Sequence, residues 1–127
     1  MNFPEGLLYT RDHEWLKLDG ETGRIGITDY AQSELGDIVF IELPAPGAVF
    51  KKGDRLAVLE SVKAISDVYA PCGCEVETVN GELAAAPETI NADPYGSGWI
   101  ASIRVTEAGS ESELLSAAEY TSILKKH

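Results

Sequence analysis

Apolar and polar positions alternate along most of the chain, the period-two signature of strands with one buried face. "EWLKL" (Glu14–Leu18) alternates, "DGETG" (Asp19–Gly23) is turn chemistry, and "RIGI" (Arg24–Ile27) resumes the strand pattern. The pattern breaks at Thr28, which with Asp29 behind it predicts a helix N-terminus; "DYAQSEL" then runs to Gly36, a natural C′ residue. "DIVFIEL" (Asp37–Leu43) predicts a strand with Val39, Ile41 and Leu43 on one face, ended by Pro44, Pro46 and Gly47. "RLAVLE" (Arg55–Glu60) and "AISDVYA" (Ala64–Ala70) predict a hairpin with Lys63 at its tip. "EVETV" (Glu75–Val79), a loop "APETINADPYGSG" and "WIASIRV" follow, the last placing Trp99, Ala101, Ile103 and Val105 on one side. Near the C-terminus, Ser110 with Glu113 and Ser116 with Glu119 both fit a capping box, predicting two short helices that end at Lys125 and Lys126. Short, closely spaced strands with turn signals between them predict an antiparallel sandwich or barrel carrying small helices.

An internal echo adds to this. "PAPGAV" (Pro44–Val49) and "PCGCEV" (Pro71–Val76) flank the lysine hairpin and predict two similar halves about a pseudo-twofold axis. The chain has 127 residues, 44% of them hydrophobic, which suits one domain with a single modest core. Its net charge is −11, from 21 acidic and 10 basic residues. Such a balance repels nucleic acid and anionic membranes and favours partners with basic patches. No apolar run approaches the roughly 20 residues of a membrane span. The start, "MNFPEGLLYTRDHEW", has neither a signal nor a transit pattern, so a cytoplasmic protein is expected.

Cys72 and Cys74 form C-x-C, too close a pair for an ordinary structural disulfide and too few ligands for zinc. They are expected as two small residues in a turn, with no metal site. His13, His127 and two adjacent thiols supply no nucleophile–base set, so no catalytic residues are assigned and the chain is not expected to be an enzyme. Trp15 and Trp99 suit core or groove packing, His13 a structural or partner contact, and "DPYG" (Asp93–Gly96) a turn first and a recognition loop second.

Lys63 carries the chemistry. A hairpin tip is the most accessible backbone of a β domain, and a lysine amine can be acylated there, holding a swinging arm on a fixed root. The surrounding motifs sharpen this: "HEW" (His13–Trp15), "GITDYAQ" (Gly26–Gln32), "LGDIVFIELPAPG" (Leu35–Gly47), "ESVKA" (Glu60–Ala64), "SDVYAP" (Ser66–Pro71), "VN" (Val79–Asn80) and "INADPYGSGW" (Ile90–Trp99). In this order they resemble the H-protein family of the glycine cleavage system.

The resemblance implies a mainly β barrel-sandwich hybrid of the lipoyl and biotinyl carrier type, with an N-terminal β extension and short C-terminal helices. It implies a single lipoyl-carrier domain over 1–127, with the hairpin at about 55–70 and a helical segment at about 110–127. Lipoic acid would sit in amide linkage on Lys63. The arm would accept an aminomethyl group from a pyridoxal-phosphate glycine decarboxylase (P protein) and pass it to a folate-dependent aminomethyltransferase (T protein). A flavin dihydrolipoyl dehydrogenase (L protein) would then reoxidise it, and the sulfur chemistry belongs to the arm. Glu60 matches an acidic position read by the lipoate-attaching enzyme, and a solvated strand-end glutamate is the competing reading. Glu14 and Asp67, with Asp12 nearby, match a groove that cradles the loaded arm, where carboxylates suit a cationic amine; plain surface charge is the competing reading. Cys74 stands where related lipoyl domains have a glycine, so a shifted or strained turn is expected there. Two other carriers compete. Biotin carriers favour methionines beside the lysine, where Val62 and Ala64 stand. A lipoyl donor or relay protein for other lipoyl domains fits the same motifs.

Overall fold

The computed structural model describes residues 1–124. Strands β1 (Leu8–Tyr9), β2 (Glu14–Asp19) and β3 (Thr22–Ile27) form an antiparallel meander. Trp15 lies opposite Gly26, and a Cβ on that glycine would come within 2.7 Å of the indole, so only glycine admits the ring. The helix α1 (Asp29–Leu35) begins as expected: the Thr28 side chain accepts the Ala31 N–H, and Gly36, at φ 74°, closes it. Then come β4 (Ile38–Glu42), β5 (Val49–Phe50), β6 (Arg55–Ser61), β7 (Ile65–Tyr69), β8 (Cys74–Val79), α2 (Glu82–Ala85), α3 (Thr89–Ala92), β9 (Ala101–Val105) and α4 (Ala117–Leu124).

Two antiparallel sheets result, in the orders β1-β2-β3-β9-β8-β5 and β4-β6-β7. Both contribute to one core, with Leu16, Ile25, Val76 and Ile103 from the larger and Ile41, Leu59 and Val68 from the smaller. Each such side chain contributes about 1.5–3 kcal/mol on burial. The sheets face each other without closing a barrel, the expected barrel-sandwich arrangement. The two echoing segments lie side by side: Gly47 N–H donates to Val76 O, Val76 N–H donates to Ala48 O, and β5 pairs with β8.

Several local expectations are corrected. A bulge between Ile38 and Phe40 shifts the phase of β4, so Ile38 and Ile41 enter the core while Val39 stays 54% exposed. The stretch read as a loop contains α3. Ser110 starts no helix; its hydroxyl donates to Glu107 O and accepts from Gly73 N–H, holding a turn against the β8 approach. The second capping box does form. Ser116 N–H donates to Glu119 Oε1, and Glu119 N–H donates to Ser116 Oγ, opening α4. Lys125 and Lys126, expected to end that helix, lie outside the described residues. Cys72 lies in a bend, as expected, whereas Cys74 begins β8, and both are fully buried in the core. Cys74 is not in the left-handed region, where His13 (φ 71°) is the sole non-glycine among the described residues, so the expected Cβ strain is absent.

A second cluster ties the chain's ends together. Tyr9 stacks on Tyr120 at 4.9 Å, Phe3 meets Tyr120 edge-on at 5.3 Å, and Tyr9 and Leu115 exchange backbone hydrogen bonds of 2.8 and 2.7 Å. Tyr120 OH also meets Thr28 Oγ1 and His13 Nδ1, each at 2.8 Å. The "DPYG" turn is structural: Trp15 Nε1 donates to Pro94 O, and Tyr95 OH donates to Asn2 O.

Candidate functional site

The β6–β7 hairpin puts Lys63 at its tip, exposed, on a turn that contains no glycine. Ser61 makes this turn. Its N–H donates to Ala64 O at 2.8 Å, and its Oγ accepts from Ala64 N–H at 3.0 Å and Lys63 N–H at 3.3 Å. A serine hydroxyl thus supplies locally what a backbone turn would otherwise need. Val62 N–H donates to Asp37 O, pinning the tip to the start of β4. A Cβ on Gly36 would lie 3.6 Å from Lys63 Cε, so the lysine stem runs past the end of α1. The root is fixed while the amine is exposed.

A groove of about 220 Å³ opens beyond the far end of β7, lined by Thr10, Asp12, Glu14, Lys52, Tyr69 and Glu113 among others. At about 3.3 Å per strand residue, Ile65 to Tyr69 spans roughly 13 Å. Glu14 is 2% exposed, and each carboxylate oxygen is held: Oε1 accepts from Thr10 Oγ1 at 2.6 Å and Oε2 from Tyr69 N–H at 3.2 Å. Thr10 is fixed in turn by accepting from Asp12 N–H and Glu14 N–H. Burial pushes the Glu14 carboxyl up to about 7, outweighing those two hydrogen bonds, and Asp12 adds to the rise. No ion pair among the described residues neutralises Glu14, so it is a buried acid poised to ionise when a cation enters.

The three expected cradle residues are therefore placed unequally. Glu14 and Asp12 line the groove; Asp67 does not. Asp67 lies on β7 between tip and groove, with Tyr69 OH 3.5 Å from its Oδ2. Glu60 stands on the outer face of β6, opposite Phe40 and Ile65. Thr10, Tyr69 and Ser61 were not singled out from the sequence. For Ser61 the signal was there, a serine opening a strand-to-strand turn. For Thr10 and Tyr69 there was none, because their roles depend on bringing β7 against the 10–14 loop. Lys52 and Glu113 form an exposed ion pair of 3.1 Å at the groove's other end.

Comparison with known proteins agrees with this layout. The family model described as glycine cleavage H-protein matches residues 7–127. A glycine cleavage system H protein of Halothermothrix orenii is 51% identical over 126 residues, covering 99% of this chain and 98% of that protein. The counterpart from Thermus thermophilus is 47% identical over 125 residues, covering 98% of each. A crystal structure of a glycine cleavage system H protein from Mycobacterium marinum superposes with a TM-score of 0.90 at 37% identity, over 97% of this chain and 99% of that one.

Proposed function

The chain belongs to the glycine cleavage H-protein family and is a lipoyl carrier of the glycine cleavage system, and on that premise we propose that Lys63 holds the lipoyl group in amide linkage. The observation that carries the assignment is the tip itself: an exposed lysine on a turn locked by Ser61 and anchored through Val62 to Asp37. An attaching enzyme can reach the amine, and the root does not move with the arm. When bound, the group supplies two sulfurs that pass between disulfide and dithiol and hold a one-carbon unit.

The protein's own residues supply position and shelter. β7 gives a track from Lys63 past Asp67 to the groove, where Glu14 and Asp12 receive the ammonium of the aminomethyl cargo. Thr10 and Tyr69 hold the Glu14 carboxylate in place. In a partly shielded groove such a contact stabilises by about 1–3 kcal/mol, far more than the same pair in open solvent. The cargo breaks down in water, so a carrier that folds it against its own surface delivers more of it.

Within the system the carrier serves the glycine decarboxylase, the aminomethyltransferase and the dihydrolipoyl dehydrogenase in turn. A lipoate-attaching enzyme modifies it and reads Glu60. It works in the cytoplasm as one lipoyl-carrier domain over 1–127 and catalyses no step itself. No helix among the described residues is long and apolar enough to cross a membrane.

Peptide mapping of protein from its native host tests the assignment. The lipoyl mass is expected on Lys63 alone, and Lys63→Arg is expected to fold normally and support no glycine cleavage. A lipoyl group on Lys17, Lys51, Lys52, Lys125 or Lys126, or activity in Lys63→Arg, would refute it.

A further inference from the structure

Six large apolar side chains are exposed among the described residues, and four of them, Val39, Phe40, Val62 and Ile65, surround the root of the lysine hairpin. Strand register accounts for the grouping. Phe40 lies opposite Glu60, and Glu60 opposite Ile65, so these three share one rung across β4, β6 and β7. The next outward rung reads Glu42, Val58, Asp67. Leu59, between the two rungs, is fully buried, so both rungs face away from the core. The face is a chequer of three apolar and three acidic side chains, with Val62 and Lys63 at its upper edge. Neither rung contains a basic residue, and neither of the two ion pairs among the described residues involves its carboxylates.

Ile65 and Val62 are each 69% exposed, a cost without return in a free monomer. Their position and the uncompensated acids together indicate what covers them. We propose that this face docks on a protein partner whose active-site entrance is apolar at its centre and rimmed by arginine or lysine, the rim meeting Glu42, Glu60 and Asp67 while Phe40 and Ile65 are buried. The proposal rests on the assignment of the arm to Lys63, since the face then meets the partner whenever the arm enters it. A second copy of the chain would set the same carboxylates against each other, and like charges across an interface are unfavourable. Nucleic acid and anionic lipid are opposed by the net charge of −11. That same charge steers a basic entrance toward the carrier before contact.

The test uses full-length carrier whose lipoyl group has been placed on Lys63 by peptide mapping, with recombinant glycine decarboxylase as the probe. Ile65→Ser is expected to melt within a few degrees of the parent and Phe40→Ser somewhat lower, because Ile65 is 69% and Phe40 51% exposed. Each should raise the KM for the carrier about tenfold, about 1.4 kcal/mol of binding, with kcat little changed. Glu42→Lys should raise KM and flatten its dependence on salt. Val49→Ser, a comparably exposed apolar site on the other sheet, should leave KM unaltered. Unchanged KM in Phe40→Ser and Ile65→Ser, or an equal rise in Val49→Ser, would overturn the proposal. So would sedimentation showing a dimer of the parent that Phe40→Ser dissolves while KM stays constant. A lipoyl group mapped to another lysine would overturn the Lys63 assignment itself, before any kinetics.

Discussion

Glu14 combines full burial with a carboxyl pushed up to about 7, and its pH behaviour follows from that. A raised acid favours the fold while protonated: the contribution is complete below 4.5 and is lost as pH rises through about 7. The shift corresponds to roughly 3 kcal/mol across that window. Glu14→Gln is therefore expected to be more stable than the parent at pH 8.5 and close to it at pH 5, as urea melts at the two pH values would show; an equal difference at both would contradict the burial account. Stability and service pull apart here. Glu14→Ala should accept lipoate and cargo yet release formaldehyde faster once the decarboxylase is removed, with Asp67→Ala, on the track outside the groove, releasing it less fast than Glu14→Ala; unchanged release in Glu14→Ala would leave the buried carboxyl no part in holding the cargo. Cys74→Gly is expected to destabilise by about 2–3 kcal/mol, through a lost buried side chain and added chain freedom, with a visible fall in Tm. The sequence suggested the opposite sign, because the echo aligned Cys74 with Gly47. Gly47 has φ 88°, whereas Cys74 begins a strand. A short match of residue types conveyed the pairing of the two segments and not their dihedrals.

At the scale of elements, two capping boxes of equal quality on paper met different fates. Ser116 and Glu119 close on each other, and the bond from the Ser116 N–H, helped by the Ser116 side chain, holds the Glu119 carboxyl below its usual range. Glu113, which would have completed the first box, bridges Lys52, while Ser110 turns toward Gly73. Tertiary partners took the residues that a helix start required. Ser116→Ala should cost about 1 kcal/mol, whereas Glu113→Gln, removing an exposed ion pair, should stay within about 0.5 kcal/mol; chemical denaturation distinguishes them. The helix after Thr28 and the alternating strands were legible because caps and period are local signals. The β4 bulge was not, since it depends on which residue β6 presents opposite Phe40. Lys63 was legible through the motifs around it. The acidity of Glu14 was not, for burial is a property of the assembled fold.

At the scale of the whole molecule, the root of the arm and its shelter are wired differently along the chain. The hairpin is sealed mostly by contacts close in sequence, from Ser61 to Ala64 and across β6 and β7, with one tie from Val62 to Asp37. The groove draws on residues 9–12, 14, 52–53, 69–71 and 113–115, and its edge is stitched where Tyr9 meets Leu115, more than a hundred positions away. Contacts so remote in sequence form late and part early, because each carries the entropy of a long closed loop. The join between the two ends of the chain is therefore expected to open at lower free energy than the centre of the hairpin. Amide exchange should report this directly, with the Leu115 N–H exchanging well before that of Leu59 at the centre of β6. The groove is thus complete only where the two ends of the chain meet.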